Sequence, residues 1–122
     1  MALRKELGKR GEILARQYLE QSDYKIIAAN FRIGRNEFDL IAQYKGKTIF
    51  FEIKTRLKTE ESDKENGTDC FSANQAQGLK RAINAYCLKN RLAGEKVRLD
   101  LIIVSVNPEK GRADLKHYKN IF

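Results

Sequence analysis

The sequence contains few of the residues that interrupt or cross-link a chain. Among 122 residues it has no tryptophan, one proline, Pro108, and two cysteines, Cys70 and Cys87. The cysteines lack metal-binding spacing and the N-terminus has no apolar signal segment, so we expect reduced thiols in a cytoplasmic protein. No apolar run approaches the roughly 18 residues of a membrane span, and we therefore expect no membrane partner.

Several familiar kinds of chemistry are also missing. The single histidine, His117, has no recognisable partners for a zinc site or for a serine–histidine triad. No glycine-rich phosphate-binding loop or dinucleotide-binding motif occurs. Chemistry in this chain would therefore depend on carboxylates and basic side chains.

The charge balance is strongly basic. Lysine and arginine number 24 against 16 acidic residues, which gives a formal net charge of +8. A basic surface favours polyanions, nucleic acid first and an anionic membrane second, although a merely soluble basic protein has the same balance. The length suits one domain with a single buried core, spanning 1–122.

Hydrophobic periodicity predicts two helices and five strands. The predicted helices cover 3–21 and 72–92, and the predicted strands cover 24–30, 36–44, 48–55, 97–106 and 113–118. The order α-β-β-β-α-β-β indicates an α/β sandwich with helices packed on a central mixed sheet. Between the third predicted strand and the second predicted helix, segment 57–72 has almost no apolar residues and is predicted to be a flexible loop.

The second and third strands should form a hairpin. With Lys45-Gly46 as a two-residue turn, paired residue numbers sum to 91, so Asp39 faces Glu52 and Glu37 faces Lys54. Alternation along each strand then puts all four side chains on one sheet face, with opposite Cβ atoms roughly 5 Å apart. A three- or five-residue turn would break this register.

Three acids and a lysine on one face have two interpretations. Facing carboxylates repel unless a cation or a proton lies between them, and Mg²⁺ prefers one or two carboxylates plus water. Asp39 and Glu52 therefore suit a metal site with Lys54 beside it. The alternative, a solvated polar sheet face, is about equally consistent with the spacing alone.

The first helix carries a further acid. Gly8, Gly11 and Ala15 lie in its apolar arc and would allow close approach to the sheet, with Glu12 at the edge of that arc. Lys9 and Arg16 lie on the other side. Glu12 could reach the sheet or simply point to solvent.

Four other polar positions have structural explanations. Asp100 interrupts the most apolar strand, and a buried carboxylate must be paired, here with Arg98 or Lys96. Ser72 can cap the second helix with Gln75 as its capping-box partner. Gln75 and Gln77 are also candidates for an active-site glutamine, but a structural role is favoured.

Asp39 followed by Glu52-Ile53-Lys54 resembles the PD-(D/E)XK nuclease motif. NEFDLIA and IFFEIKTR in the hairpin, with GKRGE at 8–12, are similar to the YraN-like family of small endonuclease-like proteins. The resemblance covers the N-terminal half closely and the C-terminal half loosely. It implies the restriction-endonuclease-like fold and metal-dependent, structure-directed hydrolysis of phosphodiester bonds in DNA, branched or single-stranded.

The resemblance also implies roles for individual residues. Asp39 and Glu52, with the carbonyl of Ile53, would hold Mg²⁺ or Mn²⁺, and Glu12 would bind a second ion or a metal-bound water. Lys54 would orient or activate the attacking water. Basic residues flanking this face would bind backbone phosphates, namely Arg32, Arg35 and Arg56.

Two other classes of function remain open. The chain could be a nucleic-acid-binding module of the same fold that no longer cuts, or a protein-interaction domain with an ordinary acidic surface. The presence of all four catalytic-type residues favours the enzyme. A homodimer is compatible with any of these functions.

Overall fold

A computed structural model describes residues 2–58 and 72–121, with side-chain detail from residue 5 onward. The elements in chain order are α1 (Ala2–Gln21), β1 (Lys25–Ile33), β2 (Asn36–Tyr44), β3 (Lys47–Leu57), α2 (Ala73–Asn90), β4 (Val97–Asn107) and β5 (Arg112–Tyr118). A 3-10 turn, Gly94–Lys96, precedes β4. The predicted order is confirmed. Most of the predicted loop, 59–71, lies outside the described residues.

The five strands form one mixed sheet in the order β1-β2-β3-β4-β5. Strands β3 and β4 run parallel, and the other neighbouring pairs run antiparallel. The long crossover that a parallel pair needs contains α2. This architecture confirms the α/β sandwich of the restriction-endonuclease-like type.

The central hairpin has the predicted turn. Lys45 and Gly46 both have positive φ, 48° and 78°, as a type I′ turn requires. Tyr44 pairs with Lys47, and the register sums to 91 from there to Leu40 opposite Phe51. The two-residue loop therefore sets the register as predicted.

The first strand is longer than predicted. The first predicted strand ends at residue 30, but β1 continues to Ile33 and only Gly34 and Arg35 turn. Phe31 and Ile33 pack against the core beneath α2, so their burial favours strand over turn. Asn30 has a φ of 50°, which marks an irregularity within the strand.

Each face of the sheet has its own apolar core. Leu40, Phe51 and Ile102 belong to the cluster beneath α1, which also contains Ala15 and Leu19. Phe38 and Phe50 belong to the cluster beneath α2. The capping box of Ser72 and Gln75 starts α2 as predicted.

Neither long helix, over the ranges described, is long and apolar enough to cross a membrane.

Helix α1 approaches β3 closely at one of the two predicted glycines. A Cβ atom on Gly11 would lie 1.8 Å from Oγ1 of Thr55, so only glycine fits without a shift. Apart from its chain neighbours and the backbone of its own helix, no described atom lies within 4 Å of such a Cβ on Gly8, so the prediction that Gly8 also serves close packing is wrong. The close approach places Glu12 near the β2–β3 hairpin.

A polar network around Asp100 ties α1, β4 and β5 together. Arg98 donates to both carboxylate oxygens at 2.9 and 3.0 Å, and His117 Nε2 lies 2.7 Å from Oδ2. The other ring nitrogen of His117 is 2.8 Å from the Tyr18 hydroxyl. Burial raises the pKa of Asp100, but the bonds to His117 and Arg98 outweigh burial and hold that pKa below its usual value. Of the two predicted partners, Arg98 is the observed one, and His117 has a structural role.

The two α1 glycines predict opposite effects of alanine. Gly11→Ala should destabilise the protein by about 1–3 kcal/mol, the usual range for overpacking, because its methyl group meets Thr55. Gly8→Ala should stabilise it by up to about 1 kcal/mol through helix propensity. Urea unfolding of both variants measures the difference, and equal effects would contradict the close approach.

Candidate functional site

The site begins where the β2–β3 ladder ends. Over the described length of these strands, the paired register stops at Leu40–Phe51, so the predicted direct pairing of Asp39 with Glu52 is not formed. Instead, the backbone amide of Ile53 donates to Asp39 Oδ2 at 2.7 Å. The carboxylate takes the place of a strand carbonyl, which lets the strands separate without leaving this amide unpaired.

Glu52 is a partly buried acid with incomplete hydrogen bonding. Its side chain is half-buried, and no hydrogen bond from any described residue reaches its buried Oε1. Burial, with a further contribution from the nearby charge of Asp39, raises its pKa to about 8, although Lys54 acts in the opposite direction. A buried carboxylate without sufficient partners favours either a bound proton or a bound cation.

The pKa values of Asp39 and Glu12 are also raised. Burial, the largest cause, raises the pKa of Asp39 above its ordinary value, against the bond from Ile53 and the charge of Lys54. Burial also raises the pKa of Glu12, followed by repulsion from Asp39 and Glu37. The acids on α1, β2 and β3 are therefore close enough to repel one another electrostatically.

The side chains line two neighbouring cavities. One, the Glu52 cavity of about 180 Å³, faces α2 and is lined by Arg35, Glu37, Glu52, Lys54 and Gln75. The other, the Glu12 cavity of about 230 Å³, lies against α1 and is lined by Lys9, Glu12, Arg16 and Asp39. Asp39, bonded to the β3 backbone, lies at the strand separation between them. That Asp39 shares one sheet face with Glu37, Glu52 and Lys54 stays a prediction.

A divalent cation fits the chemistry of this site. The donors are carboxylate oxygens, which Mg²⁺ and Mn²⁺ prefer, and the buried Glu52 Oε1 accepts no hydrogen bond from the described part of the chain. Among the described residues, however, no three acidic, histidine or cysteine side chains are gathered tightly enough to hold an ion. An ion held here by one or two carboxylates would complete its coordination with water.

The predicted phosphate-binding arginines have different surroundings. Arg35 is exposed at the Glu52 cavity, whereas Arg32 forms an exposed ion pair with Glu37 at 3.2 Å. Arg56 is half-buried two residues beyond Lys54 on β3. The structure thus places Arg35 in the lining of the Glu52 cavity and pairs Arg32 with Glu37, one of the acids of that cavity.

Sequence reasoning missed two basic residues beside Glu12. Lys9 and Arg16 were assigned to the side of α1 away from the sheet, yet both line the Glu12 cavity. Their spacing, three residues before and four after Glu12, was a signal that they share a helix face with it. Gln75, considered but not favoured for the site, caps α2 and also lines the Glu52 cavity.

Comparison with known proteins places these residues in a family context. Residues 11–104 match the family model described as "Uncharacterised protein family UPF0102". The chain is similar to the UPF0102 protein of Carboxydothermus hydrogenoformans, with 34% identity over 97% of this chain and 96% of that protein. It is 36% identical to the UPF0102 protein of Christiangramia forsetii, over 100% of this chain and 98% of that protein.

Replacing Glu52 should change the pH dependence of stability. Because its folded pKa is raised, the native state keeps a proton between about pH 4.5 and 8 that the unfolded chain releases, so stability falls as pH rises through this window. Glu52→Gln removes this loss. At about 1.4 kcal/mol per pKa unit, the variant should gain at least about 1 kcal/mol over wild type between about pH 5 and pH 9.

The measurement is urea unfolding in a chelating buffer. Glu109→Gln, in the exposed β4–β5 turn, controls for the change in net charge. In a separate thermal melt without chelator, Mn²⁺ should raise the melting temperature of wild type more than that of Glu52→Gln. A Glu52→Gln variant that is less stable than wild type at every pH would contradict an unsatisfied carboxylate.

Proposed function

This chain belongs to the UPF0102 family, and from its acidic site we propose that it is a metal-dependent endonuclease that hydrolyses phosphodiester bonds in DNA. The observation that carries the proposal is the half-buried Glu52 carboxylate, whose Oε1 receives no hydrogen bond from a described residue and whose pKa is raised. A folded protein tolerates such a group most readily where function requires it. Its neighbours Asp39 and Lys54 match the residues expected of a nuclease site.

The acids would form the metal site. Asp39 and Glu52, with the carbonyl of Ile53, would hold Mg²⁺ or Mn²⁺, and Glu12 would serve a second ion or a water. Bound there, the ion would supply Lewis-acid stabilisation of charge on the scissile phosphate. Donation from the Ile53 amide to Asp39 orients that carboxylate from the β3 side.

Lys54 would act on the reacting groups. It lies on β3 two residues after Glu52 and lines the same cavity, and its charge lowers the pKa of both Glu52 and Asp39. In the proposed reaction its ammonium group orients the attacking water and stabilises negative charge developing on the phosphate. These contributions matter most in the transition state.

Basic residues would position the DNA backbone. Arg35 at the Glu52 cavity and Lys9 and Arg16 at the Glu12 cavity surround the acids with positive charge. Arg32 and Arg56 would extend this surface. Phosphate contacts carry no base information, so the proposed cleavage is directed by DNA structure, branched or single-stranded, and not by sequence. A cytoplasmic location and a homodimeric state stay predictions.

One observation favours a second candidate, a nucleic-acid-binding module of the same fold that does not cut. The acidic side chains of the described residues are not gathered into an ion-binding arrangement. If they cannot rotate together, the basic surface would bind DNA without hydrolysis. The two candidates differ in one measurable property, cleavage.

The decisive experiment is a cleavage assay with purified protein. Labelled single-stranded, duplex, flap and four-way-junction DNA would be incubated with Mg²⁺, with Mn²⁺ or with a chelator. The nuclease proposal predicts products on at least one branched or single-stranded substrate, and only with metal. Salt-dependent binding without products would support the second candidate.

Lys54→Ala and Asp39→Ala should separate binding from chemistry. Lys54→Ala should keep Mn²⁺ affinity, because the carboxylates remain, and should lose only a little DNA affinity, because most attraction comes from the wider basic surface. Its cleavage rate should fall by about 100-fold or more, the size of a lost electrostatic stabiliser. Asp39→Ala should lose metal binding and cleavage together.

Calorimetric Mn²⁺ titration and single-turnover cleavage rates would measure both effects. Lys47→Ala, an exposed lysine at the start of β3, is the matched control for loss of one positive charge on that strand. Cleavage by Lys54→Ala at the wild-type rate would remove this lysine from the mechanism.

A further inference from the structure

A separate cavity lies between the end of β1 and the last turns of α2. Its volume is about 490 Å³, and its lining includes Phe31, Arg32, Ala85, Tyr86 and Lys89. We call it the Tyr86 cavity. Ligand pockets in proteins commonly hold about 300–1,000 Å³, so this cavity is large enough for a small organic group such as one nucleotide.

Aromatic rings form one part of its wall. Phe31 and Tyr86 are both half-buried, with ring centroids 6.0 Å apart and planes at 86°. Tyr86 also contacts the fully buried ring of Phe50 at 5.1 Å, again edge-on. The core thus holds Tyr86 in place while part of the ring stays accessible, which suits stacking of a planar ligand.

Positive charge lies at the rim of the cavity. Arg32 lies on β1 with 72% of its side chain exposed, and Lys89 is exposed on α2. Arg32 pairs with Glu37, but an exposed ion pair is weak and can exchange for a phosphate. Aromatic rings flanked by cations are the usual surface for single-stranded nucleic acid.

The Tyr86 cavity continues toward the Glu52 cavity. On the β1–β2 hairpin, Phe31–Gly34 line the first and Arg35–Glu37 line the second. On α2, the nearest lining residues of the two cavities are Ala85 and Leu79, six positions or about 9 Å apart along the helix. At about 3.4 Å or more per nucleotide of one strand, the two cavities are a few nucleotides apart.

We propose that the Tyr86 cavity binds the base of an unpaired nucleotide in DNA, a few nucleotides from the phosphate at the Glu52 site. A duplex does not fit this role, because its bases are stacked and paired and their faces cannot reach Phe31 or Tyr86. The cavity would therefore select substrates with a single-stranded segment beside the cut. Its part in cleavage rests on the proposed nuclease function, whereas its binding of a single strand does not.

A pair of charge-matched variants tests the cavity. Ala85→Glu puts a negative charge in it, whereas Leu88→Glu adds the same charge on α2 at a side chain that is 83% exposed and outside the lining. Fluorescence anisotropy in a chelating buffer would measure binding of labelled oligo-dT and of a blunt duplex. Ala85→Glu should bind oligo-dT at least about fivefold more weakly than Leu88→Glu, as expected for one lost stacked base.

A second variant and a second readout extend the test. Ala85→Leu, which fills the cavity without charge, should also weaken oligo-dT binding, while both Ala85 variants should bind the duplex as Leu88→Glu or wild type does. Photo-crosslinking of an iodouracil-labelled oligonucleotide should label the peptide that contains Phe31 or Tyr86. Equal oligo-dT affinity in Ala85→Glu and Leu88→Glu would overturn the inference.

The outcomes distinguish this inference from the proposed function. If the protein cuts DNA but the Ala85 variants bind a single strand normally, the nuclease proposal stands and this inference fails. If no DNA is cut but the Ala85 variants lose single-strand binding, the cavity is confirmed as a binding site and the nuclease proposal fails.

Discussion

The hydrogen bond from the Ile53 amide to the Asp39 carboxylate, 2.7 Å long, joins the fold of this protein to its site. It lies directly beyond Leu40–Phe51, where the antiparallel ladder ends. A side chain there satisfies a backbone donor that a continued ladder would have used. The strands can therefore separate without leaving this amide unpaired, and the separation makes room for acidic side chains.

The other half of the site depends on close packing against that separation. Gly11 lets α1 approach Thr55 of β3, and this proximity carries Glu12 toward Asp39. On the opposite side, Gly78 of α2 lies near Asn36, where a Cβ would be 2.9 Å from Oδ1. The two glycines therefore allow both helices to lie close to the hairpin. Each helix borders one of the two acidic cavities.

Much of the fold could be predicted because its signals are local. The Lys45-Gly46 turn, the capping box at Ser72 and the apolar run of β4 each depend on residues close together in sequence. The extent of β1 could not be predicted in this way. Phe31 and Ile33 are strand residues because of an apolar core contributed largely by α2, which is distant in sequence.

The features of the candidate site also separate into those set by local sequence and those set by tertiary packing. The sequence by itself determined which acids and which lysine are available, and the two-residue turn determined the register that brings β2 and β3 together up to Leu40–Phe51. Only the tertiary structure decided that the ladder ends before Asp39 and that Lys9 and Arg16 line a cavity together with Glu12. It also decided that Glu52 is half-buried and that no described residue donates a hydrogen bond to its buried Oε1. The physical reason is that desolvation and strand separation depend on what packs above and below the sheet, and that packing comes from helices remote in the chain.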